Sequence, residues 1–476
     1  MSATTPNTQT TNAGIAPFEK AYEALLANRP GILASESGGE LAWLKKARER
    51  DFQRWQTAGL PTRKVERWKY TNVSSLAQSP IVLPAADIET LPPRSSFPRL
   101  GATEAAAEIV FFNGQYVPNW SRFPEDSGVS VVVLTELFDE CVNDGWTKER
   151  LERFKSFREH VETSDADRET IFAAMNTSFL QDGVLIYVKP NTVLEKPIVV
   201  SYFSDSTAAG DKNLELISPR LFAHLDRGAQ AGLVEVYAGR DDHHYFANAV
   251  SDIRLEQGAR LSYSKVQLEG NEGAHIGTTR VHQKRDSFSE CFQFSLGAKL
   301  SRQDLHISLE GEGAEAFLDG LYMVRGKQHV DNFTSVEHVV PHTTSEQVYK
   351  GILDGEARAV FNGHVHIHKN AQKSLAAQLN NNLLLSLKAE ADTKPELEIY
   401  ADDVKAAHGA TIGQIDPEHV FYLQARAIPR AEAVRMLARG FAQDIVFRIR
   451  NEKIRSMIRD VVDQRFDSMQ LGDISG

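Results

Sequence analysis

The feature that most limits what this chain can fold into is a long strand-rich region, from about Gly183 to Asp416, with no helical segment between its strands. Short alternating runs such as 232–237 recur there, and each follows a turn of small residues. The turns carry Gly-Ala pairs whose separations cluster loosely near multiples of about 15 residues. These pairs are Gly228-Ala229, Gly258-Ala259, Gly273-Ala274, Gly297-Ala298 and Gly313-Ala314. Because a doubly wound α/β sheet needs helical crossovers, this pattern leaves a sandwich, a large barrel or a wound β-solenoid.

Two details favour the solenoid. The run Asn380-Asn381-Asn382 is similar to the stacked amide turns that hydrogen-bond from one coil to the next. Each coil of a solenoid also needs only the coil above and the coil below, so that the coil length can vary. The β-sandwich is the alternative that the residues alone leave open.

Both ends of the chain have helical periodicity. Apolar residues fall at helical spacing from Phe18 to about Ala58, and the same period returns after Asp416. Between Arg426 and Arg465, Lys and Arg outnumber Asp and Glu, although the whole chain is acidic. This C-terminal section is either a docking surface for a partner or a cap on the open end of the solenoid. The predicted boundaries are a disordered arm (1–17), a helical domain with a linker (18–178), a β core (179–420) and a C-terminal helical domain (421–476).

Composition narrows the function. A net charge of -11 opposes a nucleic-acid or anionic-membrane partner, since phosphate binding depends on clustered Lys and Arg. No run approaches the roughly 18 apolar residues of a membrane helix, and residues 1–14 lack the features of a signal peptide. A cytoplasmic location is therefore predicted. Cys141 and Cys291 do not form a C-x-x-C pair, and both are expected to be buried structural thiols.

The sequence gives little support for catalysis. The segment 320–327 has the wrong glycine spacing for a phosphate-binding loop, and no serine-hydrolase, dinucleotide or zinc-protease motif occurs. Asp402 and Asp403 are adjacent on a strand, so that they point to opposite faces and cannot readily flank one glycosidic bond. His364, His366 and His368 alternate, which places three imidazoles on one strand face. They form either a metal site or an exposed face with incidental histidines.

Several motifs together resemble the SufB/SufD family. The resemblance rests on the run 394–405, on 408–414 and on shorter matches that span most of the chain. The shorter matches are 59–64 with Glu66 and 68–71, Asn176 with 182–183, 320–322, 360–363 and 421–423. The segment 63–71 mixes charged and aromatic residues. The residues alone indicate only a solvated turn with aromatic side chains packed beneath it.

The resemblance implies a fold and a set of partners. The fold is mainly β, a right-handed parallel β-helix between two helical domains. In this family SufB and SufD pair through their β-helices, and each binds a SufC ATPase through its C-terminal helices. A cluster is built near their junction. This chain is therefore expected to be a non-catalytic subunit that pairs with a SufB-like scaffold, docks a SufC-like ATPase and forms a homodimer when alone. It is expected to hold no cofactor stably and to share a transient iron–sulfur cluster with its partner.

The resemblance also suggests which subunit type this is. A cluster scaffold needs thiolate ligands, but Ala406 stands where many family members have cysteine. This favours the SufD type and leaves His408 as the candidate iron or cluster ligand, with Lys405 and Thr411 beside it at the scaffold interface. Alternatively, His408 starts a turn and only hydrogen-bonds to the backbone. The alternative functions are a self-sufficient SufB-type scaffold and a β-helix polysaccharide-degrading enzyme.

The C-terminal stripe is the expected docking surface for the ATPase. It consists of Leu437, Phe441 and Ile445, with Arg435 and Arg439 at its rim. The segment 425–427 reads Ala-Arg-Ala where the family commonly has Ser-Arg-Gly, so that the turn before the stripe is expected to differ in geometry.

Overall fold

The computed structural model describes residues 15–28, 42–84, 91–100, 105–125, 128–137, 155, 158–159, 161, 171–205 and 212–468. In these residues the chain winds a parallel β-solenoid, and from β8 to β21 its successive strands alternate between two sheets. Strands two apart in sequence pair in parallel through the whole core. The mainly β solenoid is therefore confirmed, and the sandwich alternative is wrong.

The elements have the following bounds. The strands are β1 Ile81–Val82, β2 Ala107–Phe112, β3 Gln115–Tyr116, β4 Val129–Val133, β5 Val184–Val188, β6 Ile198–Ser204, β7 Leu214–Ile217, β8 Arg220–Leu225, β9 Gln230–Gly239, β10 Tyr245–Leu255, β11 Arg260–Leu268, β12 Ala274–Gln283, β13 Phe288–Ser295, β14 Leu300–Leu309, β15 Glu315–Val324, β16 His329–His338, β17 Thr344–Leu353, β18 Arg358–Ile367, β19 Leu375–Leu384, β20 Glu390–Ile399 and β21 Lys405–Gly413. The α-helices are α1 Ala16–Asn28, α2 Ala42–Ala58, α3 Ile171–Ser178, α4 Pro417–Gln424, α5 Arg430–Val446 and α6 Glu452–Ser468.

One coil of the solenoid contains one strand of each sheet and takes about 30 residues. Arg260 on β11, for example, lies opposite Gln230 on β9 and opposite Phe288 on β13. The Gly-Ala pairs stand at the corners of the coils, so that their 15-residue spacing is half a coil. At such a corner Gly228 has a φ of +68°, which glycine adopts without a Cβ clash. The following Ala229 is fully buried and begins the inward face of the strand.

Strands from the section predicted as the N-terminal helical domain extend both sheets. β2 pairs in parallel with β6, and β4 pairs antiparallel with β5. Between β2 and β3, Asn113 and Gly114 have φ values of +49° and +79°, as expected of an Asn-Gly hairpin turn. Most of the arm assigned to residues 1–17 lies outside the described residues, and α1 already begins at Ala16.

The N-terminal helices cover the outer face of the sheet that contains the even-numbered strands β8 to β20. Phe18 of α1 and Trp55 of α2 are fully buried. They belong to an apolar cluster that also contains Phe172 of α3 and Phe246 and Ile276 of the sheet. The helical periodicity predicted for residues 18–58 is confirmed in α1 and α2.

The C-terminal helices cover the outer face of the other sheet. Val434 of α5 and Ile458 of α6 are buried in one cluster with Val236, Phe294 and Val348 of β9, β13 and β17. These strands lie along the length of the solenoid rather than at its end. The alternative in which the helices cap the open end is therefore wrong.

The asparagine run connects coils, but in a different place from the one predicted. Asn380 and Asn382 lie inside β19 rather than in a turn, and both side chains are buried. The Asn382 amide donates to Asn380 Oδ1 at 2.7 Å, and the Asn380 amide donates to the Tyr322 hydroxyl oxygen at 2.9 Å. The Tyr322 hydroxyl donates to Asn382 Oδ1 at 2.6 Å. Because β15 lies two coils before β19, this ring of hydrogen bonds joins non-adjacent coils inside the solenoid.

Candidate interface at the open end of the solenoid

The last coil leaves one edge of each sheet unpaired within the described part of the chain. There β20 pairs with β18 alone, and β21 pairs with β19 alone. Most residues of these two strands are partly or fully exposed, unlike those of the preceding coils. Ile399, Tyr400 and Ile412 are 42%, 60% and 47% exposed. Free backbone groups next to exposed apolar side chains form a template for pairing with another chain.

His408 lies in the middle of β21, on the face directed into the solenoid. It is in register with Gln378 of β19, which is buried, and Ala406 on the same face packs against the core. His408 is nevertheless exposed, because β21 belongs to the last coil. The backbone of 405–413 is a regular strand, so that the interpretation of His408 as the start of a turn is wrong.

Lys405 and Thr411 lie on the opposite face of the same strand, because side chains alternate along a strand. Both are exposed, and the Thr411 hydroxyl donates to Asn381 Oδ1 of the preceding coil at 2.8 Å. The three residues predicted at the scaffold interface therefore share one unpaired strand. They do not share one face of it.

The sequence analysis missed a buried carboxylate inside the solenoid. Glu235 of β9 is fully buried and accepts hydrogen bonds from the hydroxyls of Tyr237 at 2.5 Å, Tyr263 at 2.6 Å and Ser251 at 2.7 Å. Three hydroxyl donors compensate part of the desolvation of this side chain. In the sequence, Glu235 stands between Val234 and Val236. This pattern indicates a buried acid only if both faces of the strand are known to be covered by other parts of the protein.

The charged segment 63–71 is docked on the outer face of the sheet that carries the N-terminal helices. The Thr71 hydroxyl donates to Asp331 Oδ2 at 2.5 Å, and Arg302 Nη1 donates to the carbonyl of Arg67 at 2.9 Å. The buried Arg302 guanidinium also lies over the ring of Trp68, 4.0 Å from its centroid. The predicted solvated turn with aromatic side chains beneath it is confirmed by the exposed residues 63–66 and the buried Trp68. The contacts of Thr71 and Arg67 in addition clamp the N-terminal region to the solenoid.

The stripe predicted to dock the ATPase is largely used inside the protein. Ile445 is fully buried against the sheet, and Leu437 and Phe441 are partly buried in the same cluster. Arg439 and Arg435 form ion pairs with carboxylates of α6 and α5, each at 2.5 Å. Most of this stripe therefore holds α5 on the solenoid.

A different apolar surface of the C-terminal helices is exposed. Phe421 and Tyr422 of α4 are 72% and 58% exposed, and Met436 of α5 is 46% exposed. The Arg426 guanidinium lies 3.6 Å from the centroid of the Tyr422 ring. Since α4 packs against α5, these three apolar residues are referred to as the α4–α5 patch.

The remaining predicted residues have structural roles. Cys291 is 1% exposed, and burial raises the pKa of its thiol to about 12, so that a structural thiol is confirmed there. Cys141 lies outside the described residues. Asp402 and Asp403 lie in the turn between β20 and β21 rather than on a strand, which corrects their predicted placement, and Asp403 forms an ion pair with Lys373.

Together the fold and the site define a β-solenoid protein with helices on both outer faces, which presents an unpaired end and an exposed helical patch to other molecules. None of the described helices has both the length and the apolar character that a membrane crossing requires.

Comparison with known proteins places the chain in a family. Residues 206–441 match the SUF system FeS cluster assembly, SufBD core domain, and residues 17–200 match the SufBD protein N-terminal region. The chain is 30% identical to the iron-sulfur cluster assembly protein SufD of Escherichia coli, over 88% of this chain and 92% of that protein. It is 29% identical to the chloroplastic protein ABCI7 of Arabidopsis thaliana, over 96% and 94% of the two chains. It is 26% identical to the iron-sulfur cluster assembly protein SufB of Bacillus subtilis, over 60% of this chain and 61% of that protein.

The chain therefore belongs to the SufBD family, which confirms the resemblance identified from the motifs. Its similarity to SufD extends over a larger share of both chains than its similarity to the SufB of B. subtilis. This supports the SufD type.

Proposed function

We propose that this chain is the non-catalytic SufD-type subunit of a cytoplasmic SufBCD complex that assembles iron–sulfur clusters. Its open end pairs with a SufB-like scaffold, or with a second copy when the chain is alone, and its C-terminal helices dock a SufC-like ATPase. The observation that carries this proposal is the pair of unpaired edge strands with His408 on the inward face. Family membership and the relative named for iron–sulfur cluster assembly support it.

Pairing through the open end fits the chemistry of the edge. A partner with the same fold can continue both sheets, because the free backbone donors and acceptors of one edge strand can pair with those of an edge strand in another chain. Such pairing also removes Ile399, Tyr400 and Ile412 from water, and burial of apolar surface is the main favourable term in association.

A shared cluster fits the ligands that this chain offers. The Cys291 thiol is buried and its pKa is raised, so that it supplies no thiolate at the surface. The terminal strand has Ala406 instead of cysteine, and the exposed imidazole of His408 is the side chain there that suits iron. Cysteine sulfur from the partner therefore completes the ligand set, and the cluster is transient rather than resident in this chain.

Replacing His408 with alanine is expected to lower the iron and sulfide content of the reconstituted SufB–SufC–SufD complex by at least about tenfold, because even the loss of a residue that only orients a metal ligand weakens metal binding by about 10- to 100-fold. Subunit pairing is expected to persist, since the edge strands remain. Metal and sulfide analysis and size-exclusion chromatography of the same sample measure both effects. His282→Ala, which removes a partly exposed histidine of β12 away from the terminal strand, is the matched control. An unchanged cluster yield in His408→Ala would remove the ligand role.

The α4–α5 patch is the surface proposed for the ATPase. Exposed aromatic residues on a short helix are typical anchors for a groove in a partner, whereas the buried Ile445 cannot reach one. Arg426 beside Tyr422 adds a positive charge at the edge of the patch. The patch includes part of the 421–423 match on which the family resemblance rests.

Replacing Phe421 and Tyr422 with alanine is expected to weaken binding of the SufC-like ATPase by about 30-fold or more, the effect of losing one anchor residue. Titration calorimetry with the purified ATPase measures this. Phe447→Ala provides the control, because Phe447 is 63% exposed at the end of α5 but lies outside the patch. Equal weakening by the control, or none by the double variant, would move the interface elsewhere.

A further inference from the structure

Two histidines on the outer face of β18 lie next to a carboxylate of β20. His364 Nε2 is 3.5 Å from Glu398 Oε1, and His366 Nδ1 is 3.2 Å from Glu398 Oε2. Each of the three side chains offers one ligand atom, and these atoms all lie within 4.8 Å of one another. His368 instead turns toward Glu337, at 3.6 Å. The structure thus brings together two of the three imidazoles predicted on this face and adds an acid.

The distances are close to those between the ligands of one metal ion. Ligand atoms held 2.0–2.1 Å from a tetrahedral zinc ion are about 3.3 Å apart. Both distances from an imidazole to Glu398 are close to this value. Atoms as far as 4.8 Å apart need to approach each other by about 1.5 Å to reach this spacing, a movement within the range of side-chain rotation. Glu398, which lies between the rings, carries a charge that one cation bound by all three residues balances.

The cluster is open to solvent and borders a cavity. His364 and His366 are 19% and 26% exposed, and Glu398 is 50% exposed. A cavity of about 570 Å³ between β18, β20 and the segment around Glu66 is lined by His364, Glu396 and Glu398. Lys394 forms ion pairs with Glu66 at 2.7 Å and with Glu396 at 2.9 Å. Glu398 is therefore the carboxylate of this cavity that the imidazoles engage.

We propose that His364, His366 and Glu398 bind one divalent transition-metal ion of the zinc or ferrous type on the outer face of the solenoid. Two imidazoles and one carboxylate are a donor set that both ions accept, with positions left for water or an external ligand. Calcium and magnesium prefer all-oxygen sites, so that the two imidazoles select against them. The site is distinct from His408, and it does not depend on the proposed assembly role.

Cobalt(II) and zinc(II) are the probes for this site, added to the untagged full-length chain. One cobalt ion per chain is expected, with the visible absorption bands of a nitrogen- and oxygen-ligated ion, and zinc is expected to displace it. His366→Ala and Glu398→Gln are each expected to weaken binding by at least about tenfold. Titration calorimetry and absorption spectroscopy measure affinity and ligation, and circular dichroism checks that each variant is folded.

Two control variants separate this site from general metal binding by surface histidines. His282 forms a similar pair with Glu310, at 2.8 Å, but there the second partner of the carboxylate is Lys284 instead of a histidine, and His282→Ala is expected to leave cobalt binding unchanged. His368 pairs with Glu337, and its ring lies 4.4 Å from the His366 ring, but it supplies none of the three clustered ligand atoms. His368→Ala is therefore expected to weaken cobalt binding less than His366→Ala does. Absence of stoichiometric cobalt binding, or equal binding by the wild type, His366→Ala and Glu398→Gln, would overturn the proposal. Loss of binding in His368→Ala would overturn the ligand set.

Discussion

Replacing Arg302 with alanine is expected to lower the free energy of unfolding by about 3–5 kcal/mol, because it leaves buried carboxylates without their counter-ion. Arg302 is 1% exposed and forms ion pairs with Asp304 at 2.8 Å and with Asp331 at 2.5 Å. The variant also loses the hydrogen bond to the carbonyl of Arg67 and the stacking on Trp68. Urea denaturation followed by circular dichroism measures the loss, and faster proteolysis in residues 42–84 is expected with it.

The matched control is a solvent-exposed arginine that also forms ion pairs. Arg285 is 62% exposed and lies 3.4 Å from Asp286, and Arg285→Ala is expected to change stability by less than about 1 kcal/mol. If Arg302→Ala were as stable as Arg285→Ala, the segment 63–71 would not be held by this clamp. Intact protection of residues 42–84 in Arg302→Ala would lead to the same conclusion.

Features with a local cause could be predicted from the sequence. The Gly-Ala pairs indicated the corners of the coils, because a corner favours small residues, and in three of the five pairs the glycine has a positive φ. Asn113-Gly114 indicated the hairpin for the same reason. The candidate ligand His408 was identified from its motif, and its position on the terminal strand needed the structure.

The direction of each strand face could not be predicted. The run Val234-Glu235-Val236 has the alternation of a half-exposed strand, in which the valines would form the core. In the structure both faces are covered, since the valines pack under the C-terminal helices and Glu235 points inward to Tyr237 and Tyr263. Period-2 alternation indicates that two faces differ in polarity, but it does not indicate which face is inside.

Contacts between distant segments also left no local signal. Arg302 and Arg67 are 235 residues apart, and Thr71 and Asp331 are 260 residues apart. The solvated turn at 63–71 could therefore be predicted, but its docking on the sheet could not. The stripe on α5 was similarly ambiguous, because an apolar stripe predicts that a helix is covered without specifying by what.

Replacing Ile445 with aspartate is expected to lower the free energy of unfolding by more than about 4 kcal/mol, because it buries an unpaired charge. Ile445 is fully buried in the cluster that joins α5 to the sheet, with Leu321 and Met323 of β15 and Val348 of β17. Thermal unfolding by circular dichroism measures the loss. Binding of an apolar dye is expected to rise, since the outer face of the sheet becomes exposed.

Met436→Asp is the control on the same helix. Met436 is 46% exposed, so that its replacement is expected to change stability by less than about 0.5 kcal/mol, as for an ordinary surface position. The same variant is expected to weaken docking of the ATPase, because Met436 belongs to the α4–α5 patch. The two variants thus separate packing from binding on one helix. A stable Ile445→Asp protein would show that α5 does not cover the sheet. An unstable Met436→Asp protein would show that the exposed face of α5 is also part of the packing.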